Sequence, residues 1–249
     1  MSWWDRLFRH DGPRVTGFPT SSNRASSTHL VWAIAADDPL VEVSAVLEIL
    51  TPPTISHLYF WALQASFAGG GAAHLGLQWG ADQHRPGPSH ANWGGYASGG
   101  SELTGTASGL PSSTGNANTR DYPWQPGRPY RLRIARGTSG WLGEVIDVTT
   151  GVATVIRELD GPGGSLTNPV VWAEVFARCD DPPVAARWSE LAGLTAGGSR
   201  VLASSVRTSY QTRSDGGCDN TSAAPDGAGF VLSTATARVT PPGTDLSTG

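Results

Sequence analysis

The sequence contains no lysine: all 17 of its basic residues are arginine. A nucleic-acid binder gathers its cations on one face. Here the arginines are scattered along a chain of net charge −4, so no nucleic-acid partner is expected. Charged residues of both signs make up only 15% of the chain, against 32 glycines, a composition that argues against long solvated helices. No apolar run approaches the ~20 residues that span a bilayer as a helix, so no transmembrane segment is expected. Cysteine is limited to Cys179 and Cys218. The Walker and dinucleotide glycine patterns and the Gly-x-Ser-x-Gly elbow are all missing. The opening residues, MSWWDRLFRHDGPR, lack the apolar stretch of a secretory signal, which gives the expectation of a cytoplasmic or non-classically exported protein.

What the chain does have is period-two alternation. In LVEVSAVLEIL, Val41, Val43, Ala45, Leu47 and Ile49 alternate with Glu42, Ser44, Val46 and Glu48, the signature of a half-buried strand. YRLRIAR repeats it, with Tyr130, Leu132 and Ile134 inward and Arg131 and Arg133 outward. HLYFWALQASF, WLGEVIDV, VATVIREL, VVWAEVFA, VLASSVRTSYQ and GFVLSTATARV are further strand-like runs. Short turns such as Thr138-Ser139-Gly140 join neighbouring runs, which means antiparallel hairpins rather than βαβ units. Ten or so strands predict an all-β antiparallel sandwich or jelly roll over residues 26–240. Residues 1–25 read as a separate N-terminal segment and linker. Within it Trp3, Trp4, Leu7 and Phe8 fall at helical spacing. A short amphipathic helix there would dock on a membrane surface, on a partner protein, or on the body of the protein itself. Residues 80–128 read as a long loop region, and residues 241–249 as a disordered tail.

The stretch HANWGGYASGG, from His90 to Gly100, combines aromatics, an amide and glycines. Sugars offer apolar faces to aromatic rings and a fringe of hydroxyls to amides and carboxylates. Gln78, Trp79, Asn92, Trp93 and Tyr96 would supply both kinds of group, with Asp121, Tyr122 and Trp124 as a second wall. That gives a non-catalytic glycan-binding domain as the leading expectation. The plainer alternative buries the tryptophans and leaves the glycines to make turns. A second functional expectation is glycoside cleavage by two of Glu144, Asp147 and Glu174, which requires carboxyls about 5–9 Å apart. A third is an envelope or partner-interaction accessory protein held by the N-terminal helix.

Metal sites have thinner support. Asp215, Asp219, Asn220 and Asp226 crowd a glycine-rich stretch and are oxygen donors of the kind calcium takes, but without the spacing of the 12-residue calcium loop. His74, His84 and His90 form no HxxxH-type pair for zinc. No other cofactor is expected. Cys179 and Cys218 each follow a strand-like run and sit beside acidic residues. If those strands are neighbours, the sulfurs can approach bonding distance and form a disulfide.

Three segments carry a family resemblance: YFWALQASF with LGLQWG and NWGGY (59–96), PGRPYRLRIARG with GWLGEVIDVTTG (126–151), and PVVWAEVFARCDDPPVAARWSEL (169–191). Together they resemble a bacterial family of domains of unknown function with a concanavalin-A-like β-sandwich, whose members sit beside carbohydrate-related modules. The resemblance implies that fold and a carbohydrate setting, and it supplies no catalytic residues. Gly143-Glu144-Val145-Ile146-Asp147 is also similar to the strand on which laminarinase-like sandwiches carry acids. Their acids are two apart. The separation of three here points Glu144 and Asp147 to opposite faces of a regular strand.

Overall fold

The computed structural model describes residues 13–80 and 88–247. No helix occurs among the described residues, and the helix expected over Trp3, Trp4, Leu7 and Phe8 lies outside them. The described residues form sixteen strands, more than the sequence pattern suggests, in two antiparallel layers. The first layer runs, in spatial order, through β6 (Thr119–Asp121), β5 (Pro88–Tyr96), β4 (Ala72–Trp79), β3 (Tyr59–Phe67), β10 (Leu166–Val175), β1 (Ser26–Ala33), β13 (Ser205–Tyr210) and β16 (Asp245–Ser247). The second runs through β9 (Ala153–Leu159), β8 (Trp141–Asp147), β7 (Pro129–Arg136), β2 (Leu40–Thr51), β11 (Ala185–Thr195), β15 (Gly229–Ser233) and β14 (Ser222–Asp226), with the short β12 (Arg200–Leu202) also on β11. A single bridging pair, Leu166 with Leu40, links the layers.

Alternation decides what each strand buries. On β3, Tyr59, Trp61, Leu63, Ala65 and Phe67 enter the core, and β10 adds Val171, Ala173 and Val175. The second layer answers with Val43, Ala45, Leu47 and Ile49 from β2, and Leu132, Ile134 and Val145 from β7 and β8. Each of the Val, Leu, Ile and Phe side chains among them stabilises the fold by about 1.5–3 kcal/mol when fully buried. Between the layers the Trp93 ring lies against Gly143. A Cβ added at Gly143 would fall 2.5 Å from that ring. The Trp93 indole N–H donates to the Trp141 carbonyl at 3.2 Å.

Outside the second layer, arginines pair with carboxylates across strands. Arg133 bridges Glu42 at 2.7 Å and Glu144 at 3.2 Å, and Arg187 pairs with Asp226 and Glu48. Two segments differ from expectation. Residues 80–128 are not one long loop, since β5 and β6 lie within them. Their glycines permit strand contacts too close for a side chain: a Cβ at Gly95 would sit 2.4 Å from the Ala72 carbonyl oxygen. The tail expected to be disordered contributes β16 up to Ser247. Its Leu246 is buried, and Asp245 takes the Arg207 guanidinium at 2.9 and 3.0 Å.

Candidate functional site

Residues that alternate away from the core in the first layer build a second, open face. Registers across the strands set its rows. Asp121, His90, Gln78, Phe60, Glu174 and Ser27 are successive cross-strand partners. A parallel row holds Thr119, Asn92, Gly76, Ala62, Trp172 and His29. Its middle is apolar: Phe60, Ala62, Val170 and Trp172 form a separate buried cluster. The Phe60 ring covers Gly76, where a Cβ would meet it at 2.6 Å. Trp172 stands edge-on to Phe60 with ring centroids 4.9 Å apart, and its indole N–H donates to Gln64 Oε1 at 3.3 Å.

Glu174 is the carboxylate of this floor. Burial raises its pKa above the ordinary glutamate value, and hydrogen bonds from Asn23 and Ser27 pull it back in part. Asn23 Nδ2 donates to Glu174 Oε1 at 2.8 Å, and Ser27 Oγ donates at 3.4 Å. Asn23 belongs to a strap, residues 13–25, that crosses the end of the sheet. Gln78 stands two strands from Glu174, a backbone separation of about 10 Å, with Phe60 between them. The Gln78 side chain is buried, yet its Oε1 has no hydrogen-bond partner among the described residues. A buried acceptor left unmet costs about 1–3 kcal/mol.

At the β6 edge, His90 is buried with Nε2 3.2 Å from both Asp121 Oδ1 and Ser113 Oγ, and the Ser113 hydroxyl donates to Asp121 at 2.8 Å. A Ser-His-Asp relay needs Ser and Asp on different ring nitrogens. Here both address the same one. Asp121 titrates below its usual range, chiefly through the Ser113 amide hydrogen bond. His74 lies in the floor between Phe60 and Trp172, and burial pushes its pKa down to about 4 against a smaller upward pull from Asn92.

The expected sugar platform does not assemble. Alternation along β5 sends Trp93 to the core and Asn92 to the open face. Trp124 is also fully buried, donating its indole N–H to the Gln78 carbonyl at 3.0 Å. Trp79 and Tyr122 pack against the core, and Trp79 donates to the Ile55 carbonyl. Tyr96 is exposed at the end of β5. Of the eight residues only Gln78, Asn92 and Asp121 share the open face.

The expected carboxylate set also separates. Glu144 is on the outside of the second layer, paired with Arg133. Asp147 fastens its hairpin through the Thr149 and Thr150 amides and pairs with Arg128 at 2.6 Å. Along the row of Glu174, the carboxylate reached is Asp121, four strand spacings or roughly 19 Å away, too far for glycosidase chemistry.

The calcium candidates do not converge. Asp219 accepts from the Arg14 amide, Asn220 donates to the Cys179 carbonyl, Asp215 bonds Thr212 and Asp226 pairs with Arg187. No cluster of three metal-ligating side chains occurs among the described residues. His84 is outside them. Cys179 and Cys218 are joined by a disulfide, with Cα atoms 5.6 Å apart. Sequence reasoning passed over Asn23, Ser27, Phe60 and Trp172, and considered His74 only as a zinc ligand. The one available signal was polar residues recurring inside otherwise apolar strands, as at His74, Gln78 and Glu174.

An open sheet face carrying a half-buried glutamate and a buried glutamine on one row thus sits on an all-β sandwich. No protein-family model matches the chain, and no curated protein matches it. Among solved structures, a scytalido-glutamic peptidase bound to a peptide-based transition-state analogue superposes with a TM-score of 0.51 at 13% identity, covering 84% of this chain and 98% of that one. SCP-B, described as a member of the eqolisin family of peptidases in complex with the tripeptide Ala-Ile-His, gives a TM-score of 0.47 at 11% identity, covering 88% and 98%. The first likeness shows the β-sandwich fold. The bacterial domain family suggested by the sequence finds no match. No helix among the described residues is long and apolar enough to cross a membrane.

Proposed function

We propose that this chain is a peptide-bond hydrolase working from the open face through Glu174 and Gln78. The reading rests on one observation above all: a glutamate of raised pKa and a buried glutamine, whose side chain carries an amide donor, flank Phe60 on a single cross-strand row. The fold likeness to a glutamic peptidase, whose name points to a glutamate, agrees with it. The glycoside alternative would need a second carboxylate near Glu174, and the row offers an amide instead.

The chemistry follows from the two groups. The Glu174 carboxylate takes a proton from a water molecule as its oxygen adds to the peptide carbonyl carbon. The Gln78 carboxamide N–H donates to the carbonyl oxygen as negative charge gathers there. As the tetrahedral adduct collapses, the C–N bond breaks and Glu174 returns the proton to the leaving amine. A raised pKa suits a group that must both accept and release a proton. The apolar ring of Phe60 keeps bulk water from the gap between them.

The test is hydrolysis of unfolded proteins and of a mixed peptide library from acid to neutral pH. Glu174→Gln, nearly the same shape, is expected to abolish cleavage. Gln78→Ala is expected to lower kcat by about 10²–10³-fold, the usual loss for an oxyanion donor. No cleavage of any peptide by the intact protein, or full activity in Glu174→Gln, would overturn the reading.

A further inference from the structure

The strap does more than touch Glu174. One residue after Asn23, Arg24 holds a left-handed backbone at φ 62°, with its amide donating to the Ser21 carbonyl at 3.0 Å. Side chains other than those of Gly, Asn and Asp adopt this region at a steric cost, and such outliers collect at functional positions. Arg24 lines a cleft with Phe18, Pro19, Thr20, Ser21 and Phe176. Phe176 is two residues beyond Glu174, past the end of β10. Alternating burial from Ala173 to Ala177 puts it on the same face as Glu174.

The two arginines beside this cleft are not equivalent. Arg178 is occupied, bonding Asp180 at 3.2 Å and covering the Phe18 ring at 5.6 Å. The Arg24 side chain is exposed, and among the described residues it makes no ion pair or side-chain hydrogen bond. A guanidinium is a fork of donors matched to a carboxylate. Arg24 lines the same cleft as Phe18 and Phe176, so the cleft joins apolar lining to a cation with no ion pair among the described residues.

We propose that Arg24, Phe18 and Phe176 form a subsite that takes a carboxylate-bearing end of the peptide substrate, an acidic side chain or a free C-terminus flanked by an apolar residue. This rests on the peptidase reading above and specifies its substrate class. In an extended peptide, side chains on one face are about 7 Å apart, the spacing of Glu174 and Phe176 along their strand. The residue seated in the cleft is therefore about two positions from the bond held at Glu174.

Three peptides of one apolar sequence test it: a neutral parent with an amidated C-terminus, the same peptide with an internal Glu in place of Gln, and the parent with a free C-terminus. Wild-type protein is expected to cleave at least one carboxylate-bearing peptide about five- to tenfold more efficiently in kcat/KM than the parent, and which one it favours identifies the source of the carboxylate. Arg24→Gln is expected to bring that ratio close to one. Arg24→Asn, which tolerates the left-handed backbone, is a second variant should Gln disturb the turn. Equal efficiency on all three peptides, or a ratio that survives both substitutions, overturns the subsite. If the intact protein cleaves none of them, the peptidase reading fails, and the subsite is judged by calorimetric titration of Glu174→Gln protein with the same peptides. The same order of affinity then supports it, and binding without preference overturns it.

Discussion

Asn23 Nδ2 donates to Glu174 Oε1 at 2.8 Å, across 151 residues of chain. The orientation of the Asn23 amide is fixed, because its oxygen accepts from the Ser21 hydroxyl at 3.0 Å and from the Ala25 amide at 3.1 Å. Its nitrogen must then face the carboxylate, and donating to the ionised form lowers the Glu174 pKa. Asn23→Ala is expected to raise that pKa further. The acid limb of the rate–pH profile of the proposed peptidase should move upward with it. A lower rate with an unmoved limb would mean that Asn23 acts only through the fold.

The disulfide fastens the strap that delivers Asn23. Cys179 donates its amide to the Gly17 carbonyl at 2.8 Å, and next to Cys218 the Asp219 amide donates to the Arg14 carbonyl at 2.8 Å. The two cysteines are 39 residues apart, a loop whose closure stabilises by roughly 3–4 kcal/mol in the chain-entropy model. Reduction, or Cys179→Ser with Cys218→Ser, should lower Tm by about 10 °C and weaken activity further through the loosened strap. Thermal melts with and without reductant check this, and equal midpoints would refute it.

Strands with one wet face were legible in the sequence. LVEVSAVLEIL and YRLRIAR alternate cleanly because β2 and β7 carry their Glu–Arg pairs on the outer side. The strands of the site were less legible. YFWALQASF and VVWAEVFA are apolar on both faces, since Phe60, Ala62, Val170 and Trp172 form their own cluster opposite the core. Polar residues there looked like isolated interruptions. Gln78 and Glu174 were both visible as candidates but belonged to different expectations, because what unites them is the register of β4, β3 and β10. HANWGGY was read as a loop for its glycines. Once it is a strand, Asn92 and Trp93 cannot share a surface. The contact of Asn23 with Glu174 has no local sequence signal.

The inter-layer contact at Gly143 leaves no room for a side chain. A Cβ there would fall 2.5 Å from the Trp93 ring, which is fully buried and tied to the Trp141 carbonyl. Gly143→Ala is expected to destabilise by about 1–3 kcal/mol through overpacking. Urea unfolding measures it, and the ring should change its fluorescence environment as it is displaced. A stability equal to wild type would show that the layers part more easily than this contact implies.

Acid is expected to weaken the fold through His74. Its half-buried imidazole packs against the rings of Phe60 and Trp172, at centroid distances of 5.5 and 5.7 Å. Burial holds its pKa down to about 4, whereas an unfolded histidine titrates near its ordinary value of 6.5. Below 6.5 the unfolded chain therefore binds a proton that the folded chain refuses. The stability contributed by neutral His74 is complete above pH 6.5 and declines as pH falls toward 4, by up to about 3 kcal/mol. His29, also pushed down by burial, acts in the same direction. Glu174 acts in the opposite sense: its raised pKa makes ionisation costly, so its contribution is lost as pH rises through the folded value. His74→Phe should flatten the acid side of the stability curve while leaving the neutral side close to wild type. Urea midpoints measured at intervals between pH 4 and 7 read this directly, and the idea fails if the variant loses stability in acid as steeply as the native protein.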